Sequence, residues 1–184
     1  MTTGLPVRKR NRLPLGNYQG AKAYSVTIAT YRRTPWFRDA AVAEHCAGTL
    51  KESAGQEAFR VYAYCFMPDH LHLLVGAGAN ANLMGFVKRF KQATGWWFLN
   101  RYLAGSLKAS PTSLWHKSYH DHVVRSEEDL LQIAMYILGN PVRAGLVESC
   151  EDYAFSGSFV WGRDVLTMQR WPSGLVPNVT EVRS

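Results

Sequence analysis

Residues 61–75 read V-Y-A-Y-C-F-M-P-D-H-L-H-L-L-V, two apolar runs on either side of Met67-Pro68-Asp69. Aromatic and β-branched runs that meet at a Pro-Asp step specify a tight hairpin. Side chains two apart in a strand leave the sheet on the same side. His70 and His72 therefore stand side by side at the start of the second strand, while Leu71, Leu73 and Val75 turn to the opposite, core-facing side. Two parallel imidazoles on a rigid strand are two-thirds of a metal site, and a third ligand must come from elsewhere in the chain.

Upstream of the hairpin, Ala23 to Thr30 alternates and is rich in strand formers. From Asp39 to Ser53, Ala40, Ala43, Ala47 and Leu50 recur at helical spacing, which predicts a first helix with His45 on its solvent side. Downstream, a long helix is predicted over 82–102, its buried stripe being Leu83, Phe86, Val87, Phe90, Ala93, Thr94 and Trp97. Leu114 to Arg125 reads as a fourth strand. A last helix begins at Ser126, whose hydroxyl can cap it, buries Leu130, Leu131, Ala134, Ile137 and Leu138, and is stopped by Pro141. The order strand, helix, hairpin, helix, strand, helix predicts an α+β fold, a ferredoxin-like split β-α-β sandwich whose four-stranded antiparallel sheet carries helices on one face. The 184 residues suit one domain: a basic arm over 1–20, a core over 21–148 and a C-terminal extension over 149–184 anchored by Trp161 and Trp171.

A hydrophobic share of 47% with 19% charged residues excludes a mostly disordered chain. The net charge of +7 favours a polyanionic partner, and with no apolar run near 18 residues this is nucleic acid before membrane. Cys46, Cys65 and Cys150 are odd in number and form no C-x-x-C pair, so a reducing, cytoplasmic setting is expected, with no disulfide framework and no cysteine-rich zinc site. No apolar segment follows the basic N-terminal stretch, so no secretory signal is expected.

Two basic surfaces have two readings each. Arg8, Lys9, Arg10 and Arg12 are either a solvated tail or an arm that touches phosphates. Lys88, Lys91 and Trp96 lie off the stripe of the long helix, as an ordinary wet face or as a basic surface with an indole that stacks on an unpaired base. A second H-x-H pair, His120 and His122, competes with the first for a metal. The first is favoured because an apolar hairpin fixes its geometry, and His122 is left as a neighbour that contacts phosphate.

Tyr136 sits nearly opposite the apolar stripe of the last helix, and Asn140 follows one turn later on the same face. If that face meets His70 and His72, the Asn140 carboxamide oxygen completes three ligands and Tyr136 stands within reach of whatever the ion holds. Such a site suits transesterification of a phosphodiester: the phenol oxygen attacks phosphorus and displaces a sugar 3′-oxygen, leaving a 5′-phosphotyrosyl link that can be rejoined. Tyrosine titrates near about 10, so it needs a nearby cation or base to ionise at neutral pH. Imidazole and oxygen ligands accept either Mn²⁺ or Mg²⁺.

Residues 64–75, Y-C-F-M-P-D-H-L-H-L-L-V, followed by residues 136–147, Y-I-L-G-N-P-V-R-A-G-L-V, resemble the IS200-like tyrosine transposases, and within them the REP-associated tyrosine transposases. The resemblance runs from about Tyr24 to Val147 and includes Trp115 to Arg125. It implies that His70 and His72 form the HUH arrangement that binds a divalent metal, with Asn140 as third ligand and Tyr136 as nucleophile. IS200 elements proper carry Gln at the third-ligand position, so Asn140 points to the REP-associated branch. The resemblance further implies single-stranded or hairpin DNA (REP-like repeats) as substrate, cleaved beside a short guide tetranucleotide. It also implies contact through the basic N-terminal segment, a monomer or homodimer, and a place at the bacterial nucleoid. The competing readings are a catalytically silent hairpin DNA- or RNA-binding protein of the same fold and a phosphodiesterase that uses water.

Overall fold

The central hairpin is formed by β2 (Phe59–Met67) and β3 (His70–Ala77), which pair antiparallel with Met67 opposite His70 and leave Pro68 and Asp69 as the turn. This computed structural model describes residues 22–78, 81–103, 113–124, 127–162 and 166. The turn is tied to its surroundings by two backbone bonds: Thr30 N–H donates to the Asp69 carbonyl at 2.9 Å and Phe37 N–H to the Pro68 carbonyl at 3.0 Å. A turn held this way gives the two histidines a fixed starting point.

β1 (Lys22–Ala29) pairs with β3 on one side and with β4 (His120–Val124) on the other, and β5 (Ser156–Gly157) joins the outer edge of β2. The sheet order is β4-β1-β3-β2-β5, all antiparallel. The four-stranded ferredoxin-like plan is thus present, with a two-residue fifth strand from the C-terminal extension added to it. That strand covers part of an edge that would otherwise expose unpaired backbone groups. Tyr153 Oη donates to the Phe66 carbonyl at 2.7 Å, and Trp161 packs on the Tyr62 ring at 5.2 Å between centroids, so the extension is anchored on β2. Trp171 lies outside the described residues, as do Arg8, Lys9, Arg10, Arg12 and Ser126.

α1 (Ala40–Gln56) is capped by Asp39, whose carboxylate accepts from Ala41 N–H at 2.9 Å. It packs with α2 (Leu83–Leu103) on the face of the sheet that carries Tyr24, Val26, Ile28, Leu71, Leu73 and Val75. The long helix buries Leu83, Phe86, Val87, Phe90 and Thr94 as its spacing predicts, but Ala93 is exposed and Trp97 only half-buried, and Phe98 fills the core instead. His45 is not a free surface residue. Its ring stacks on Trp97 with centroids 3.9 Å apart and planes 11° from parallel, because α1 and α2 run past each other at that level.

α3 (Glu127–Leu138) takes the opposite face, so helices do not lie on one side alone. The physical reason is that this face has its own apolar set. Ala23, Tyr62, Ala63, Cys65, Met67 and Leu74 are buried there against Leu130, Ala134, Ile137 and Leu138 of α3. A bulge between Val61 and Ala63 turns Tyr62 toward this side. Leu131 is only partly covered.

The fourth strand is shorter than its sequence suggests. Leu114 and Trp115 are buried, and Trp115 bridges Thr30, but His116 and Lys117 loop outward before pairing resumes at His120. The polar run H-K-S turns there because the His116 ring accepts from Ser118 N–H at 3.1 Å. Trp115 is held in place by its Nε1–H, which donates to Thr94 Oγ1 at 2.8 Å.

Candidate active site

Register decides which side chains share the face under α3. His70 lies opposite Ala29 and His72 opposite Thr27 on β1; across β1, Thr27 also faces His120 and Ser25 faces His122. The two H-x-H pairs are therefore not alternatives in separate places. Both stand on the same face of the sheet, with Thr27 between His72 and His120.

Within the first pair, His70 Nε2 and His72 Nε2 are 2.9 Å apart and the rings meet edge to face at 80°. Each ring is oriented from behind. His70 Nδ1 lies 2.5 Å from the Asp69 carboxylate, which Arg33 approaches at 3.4 Å, and His72 Nδ1 lies 3.2 Å from Thr27 Oγ1. Burial, assisted by the charges of His70, Arg143 and Arg33, pushes the His72 ring down to about 4, so it is neutral at ordinary pH. Burial alone would raise the Asp69 carboxyl, but the hydrogen bond from His70 and the charges of His70 and Arg33 bring it below the usual range.

This arrangement fits a divalent ion. Adjacent ligands of an octahedral ion at about 2.1 Å are separated by about 3.0 Å, close to the observed gap. Histidine ligands commonly have the second ring nitrogen held by a carboxylate or hydroxyl, as both rings do here. Among the described residues no cluster of three histidine, cysteine or carboxylate groups forms, so a third protein ligand would have to be of another type, such as an amide.

Tyr136 projects from α3 at 59% exposure and lines a cleft of about 270 Å³ together with Thr27, His72, His120 and His122 of the same chain. The helix ends at Leu138, and after Gly139 the chain turns into the short α4 (Asn140–Arg143). Asn140 is therefore not on the same helix as Tyr136, contrary to the simple one-turn spacing. Gly139 followed by Pro141 interrupts the hydrogen-bond ladder between them. The Asn140 amide donates to the Ile137 carbonyl at 3.1 Å, and its Oδ1 accepts from Arg143 at 2.7 Å. Arg143 was not singled out by sequence. The signal available was local only: Arg143 follows Asn140 by three, within one short helix.

The long-helix residues are elsewhere. Lys88 is exposed and Trp96 is 72% exposed on α2, which covers the opposite face of the sheet. Lys91 is partly committed to the fold, its Nζ donating to the carbonyls of His116 and Lys117 at 2.8 and 3.2 Å. The structure thus joins His70, His72, His122 and Tyr136 on one face and leaves Lys88, Lys91 and Trp96 on the other.

Residues 19–140 match the sequence profile of the family described as transposase, IS200 like. A Haemophilus influenzae protein named as a REP-associated tyrosine transposase is 25% identical over 142 residues, covering 72% of this chain and 77% of that one. Among solved structures, a REP-associated tyrosine transposase bound to a REP hairpin superposes with a TM-score of 0.61 at 17% identity, over 82% of each chain. A transposase structure from Deinococcus radiodurans is 27% identical, with a TM-score of 0.49, over 74% of this chain and 95% of that one.

Proposed function

This chain belongs to the IS200-like transposase family, and from that premise we propose that it cleaves and rejoins single-stranded DNA beside a hairpin, using Tyr136 as nucleophile. The observation that carries the reading is the shared cleft, where Tyr136 stands over the same sheet face as a histidine pair whose free nitrogens converge. The Tyr136 phenol oxygen attacks phosphorus, the bond from phosphorus to the 3′-oxygen breaks, and the 3′-oxygen leaves with a proton as a hydroxyl. The 5′-phosphate stays on Tyr136 until an incoming 3′-hydroxyl reverses the step.

His70, His72 and Asn140 would hold Mg²⁺ or Mn²⁺, and the bound ion supplies charge stabilisation at a non-bridging phosphate oxygen. Asp69 and Thr27 fix the ring orientations of the two histidines, and burial keeps His72 neutral and ready to ligate. On the far wall of the cleft, His122 contacts the phosphate backbone. Because His72 and Tyr136 of one chain line one cleft, a single chain supplies both histidine and nucleophile, which favours a monomer acting alone. The REP hairpin bound by the superposed relative supports a hairpin substrate of REP-like repeats here, with Arg8, Lys9, Arg10 and Arg12 as basic contacts, while Lys88, Lys91 and Trp96, on the face opposite the Tyr136 cleft, would serve a strand that continues around the sheet. Among the described residues no helix is long and apolar enough to cross a membrane, and we place the protein with bacterial chromosomal DNA.

The test is to incubate labelled single-stranded hairpin DNA with the protein and Mn²⁺ or Mg²⁺ and run a denaturing protein gel. A covalent DNA adduct lost in Tyr136→Phe is the expected result. Binding without any adduct would replace this reading with a silent hairpin-binding protein. Cleavage that survives Tyr136→Phe would replace it with hydrolysis by water.

A further inference from the structure

One guanidinium meets both of the groups that α3 and α4 bring to the site. The charged carbon of Arg143 lies 4.0 Å over the centre of the Tyr136 ring. Its Nη2 donates to Asn140 Oδ1 at 2.7 Å and also to the backbone carbonyl of Tyr136. Its charge reaches His72 as well, where it is one of the causes that keep the ring unprotonated.

The position is built. A Cβ on Gly139 would stand 2.7 Å from Arg143 Nη1, closer than non-bonded atoms approach. Gly139 has φ −80° and ψ −3°, values any residue adopts, so the backbone does not call for glycine there. The guanidinium fills the space a Cβ would take, and as the exposed end of a flexible side chain it is the group that would move.

We propose that Arg143 is a positioning residue that holds the Tyr136 phenol and the Asn140 carboxamide in one frame, so that divalent-ion affinity and nucleophile placement are coupled through a single side chain. The inference rests on the reading of Asn140 as a ligand and Tyr136 as the nucleophile. A carboxamide oxygen has two lone pairs, so Asn140 can accept from Arg143 while offering the other pair to an ion. Arginine makes both contacts because its planar fork donates at the edge while its face lies against a ring. Lysine has the charge without the plane.

Two measurements on the full chain decide it: Mn²⁺ affinity from the loss of the free-ion paramagnetic resonance signal, and adduct formation on the labelled hairpin. Arg143→Lys is expected to weaken Mn²⁺ binding about tenfold or more, and saturating Mn²⁺ should not restore the adduct rate. Gly139→Ala, which displaces the guanidinium without altering it, should reproduce both losses. Tyr136→Ala, at an exposed position that does not ligate, should weaken Mn²⁺ binding roughly threefold in the wild type and have no further effect on top of Arg143→Lys.

Wild-type Mn²⁺ affinity in Arg143→Lys, or an equal effect of Tyr136→Ala in both backgrounds, overturns the coupling. So does an adduct rate that added Mn²⁺ restores fully, because Arg143 would then serve Asn140 alone. A wild type that binds no Mn²⁺ overturns it outright. A wild type that binds Mn²⁺ yet forms no adduct sinks the strand-transfer reading instead, and the Mn²⁺ cycle then supports or overturns the coupling by itself.

Discussion

Thr27 Oγ1 lies 3.2 Å from His72 Nδ1 and thereby selects which ring nitrogen of His72 faces His70. If Nδ1 carries the proton and donates to Thr27, the Nε2 lone pair is left pointing toward His70 Nε2. Replacing Thr27 by Val keeps the shape and removes the acceptor. Divalent-ion affinity measured by calorimetry is expected to fall by about 10–100-fold, the usual effect of losing a group that orients a ligand. Unaltered affinity would show that the ring is held by packing alone.

The half-buried His72 also makes the metal-free protein sensitive to acid. Its folded value is about 4, below the ordinary 6.5. Between these values the unfolded chain binds a proton that the folded chain refuses, so stability falls as pH drops from about 6.5 toward 4 and is flat above that window as far as this residue is concerned. Urea midpoints at pH 7.5, 6 and 4.5 should fall more steeply for the wild type than for His72→Gln. Parallel slopes would remove His72 as the cause.

Gly76 gives the core a close contact that no other residue permits. A Cβ there would stand 2.6 Å from the Tyr62 ring and 2.9 Å from its hydroxyl oxygen, and Tyr62 is fully buried. Gly76→Ala is expected to cost about 1–3 kcal/mol by overpacking. The same change should cost clearly less in a Tyr62→Leu background, where the ring is gone. Equal costs in the two backgrounds, read from denaturant midpoints, would refute the contact.

Two tryptophans should separate binding from folding. Trp115 is 4% exposed, packs against Phe37 and Phe90, and its indole donates to Thr94. Trp115→Ala is expected to cost about 3–5 kcal/mol of stability. Trp96 is 72% exposed, so Trp96→Ala should change stability by no more than about 0.5 kcal/mol. If the indole stacks on a base, single-strand affinity falls by about 1–3 kcal/mol. Full affinity in Trp96→Ala would mean that the α2 face is an ordinary solvated surface.

Much of this molecule was legible in the order of its residues. The hairpin turn, the alternation that sends His70 and His72 to one side, and the apolar stripe of α3 that leaves Tyr136 outside are all periodic, local features. Strand and helix periods act on neighbours in sequence, so a single chain suffices to read them. Other facts needed the chain to meet itself. Alternation alone left the two histidine pairs as rivals, and only the register of β1 between β3 and β4 placed His72 and His120 on either side of Thr27. A helical wheel put Asn140 one turn from Tyr136, but the break at Gly139 parted them and left Arg143 as the link. The second face of the sheet was likewise not foreseeable, because a bulge at Tyr62 and distant apolar residues together create the surface that α3 covers. Local pattern determines which side of an element a residue occupies. Which distant side chain it meets there is decided by pairing register and packing, and those are set by the whole chain at once.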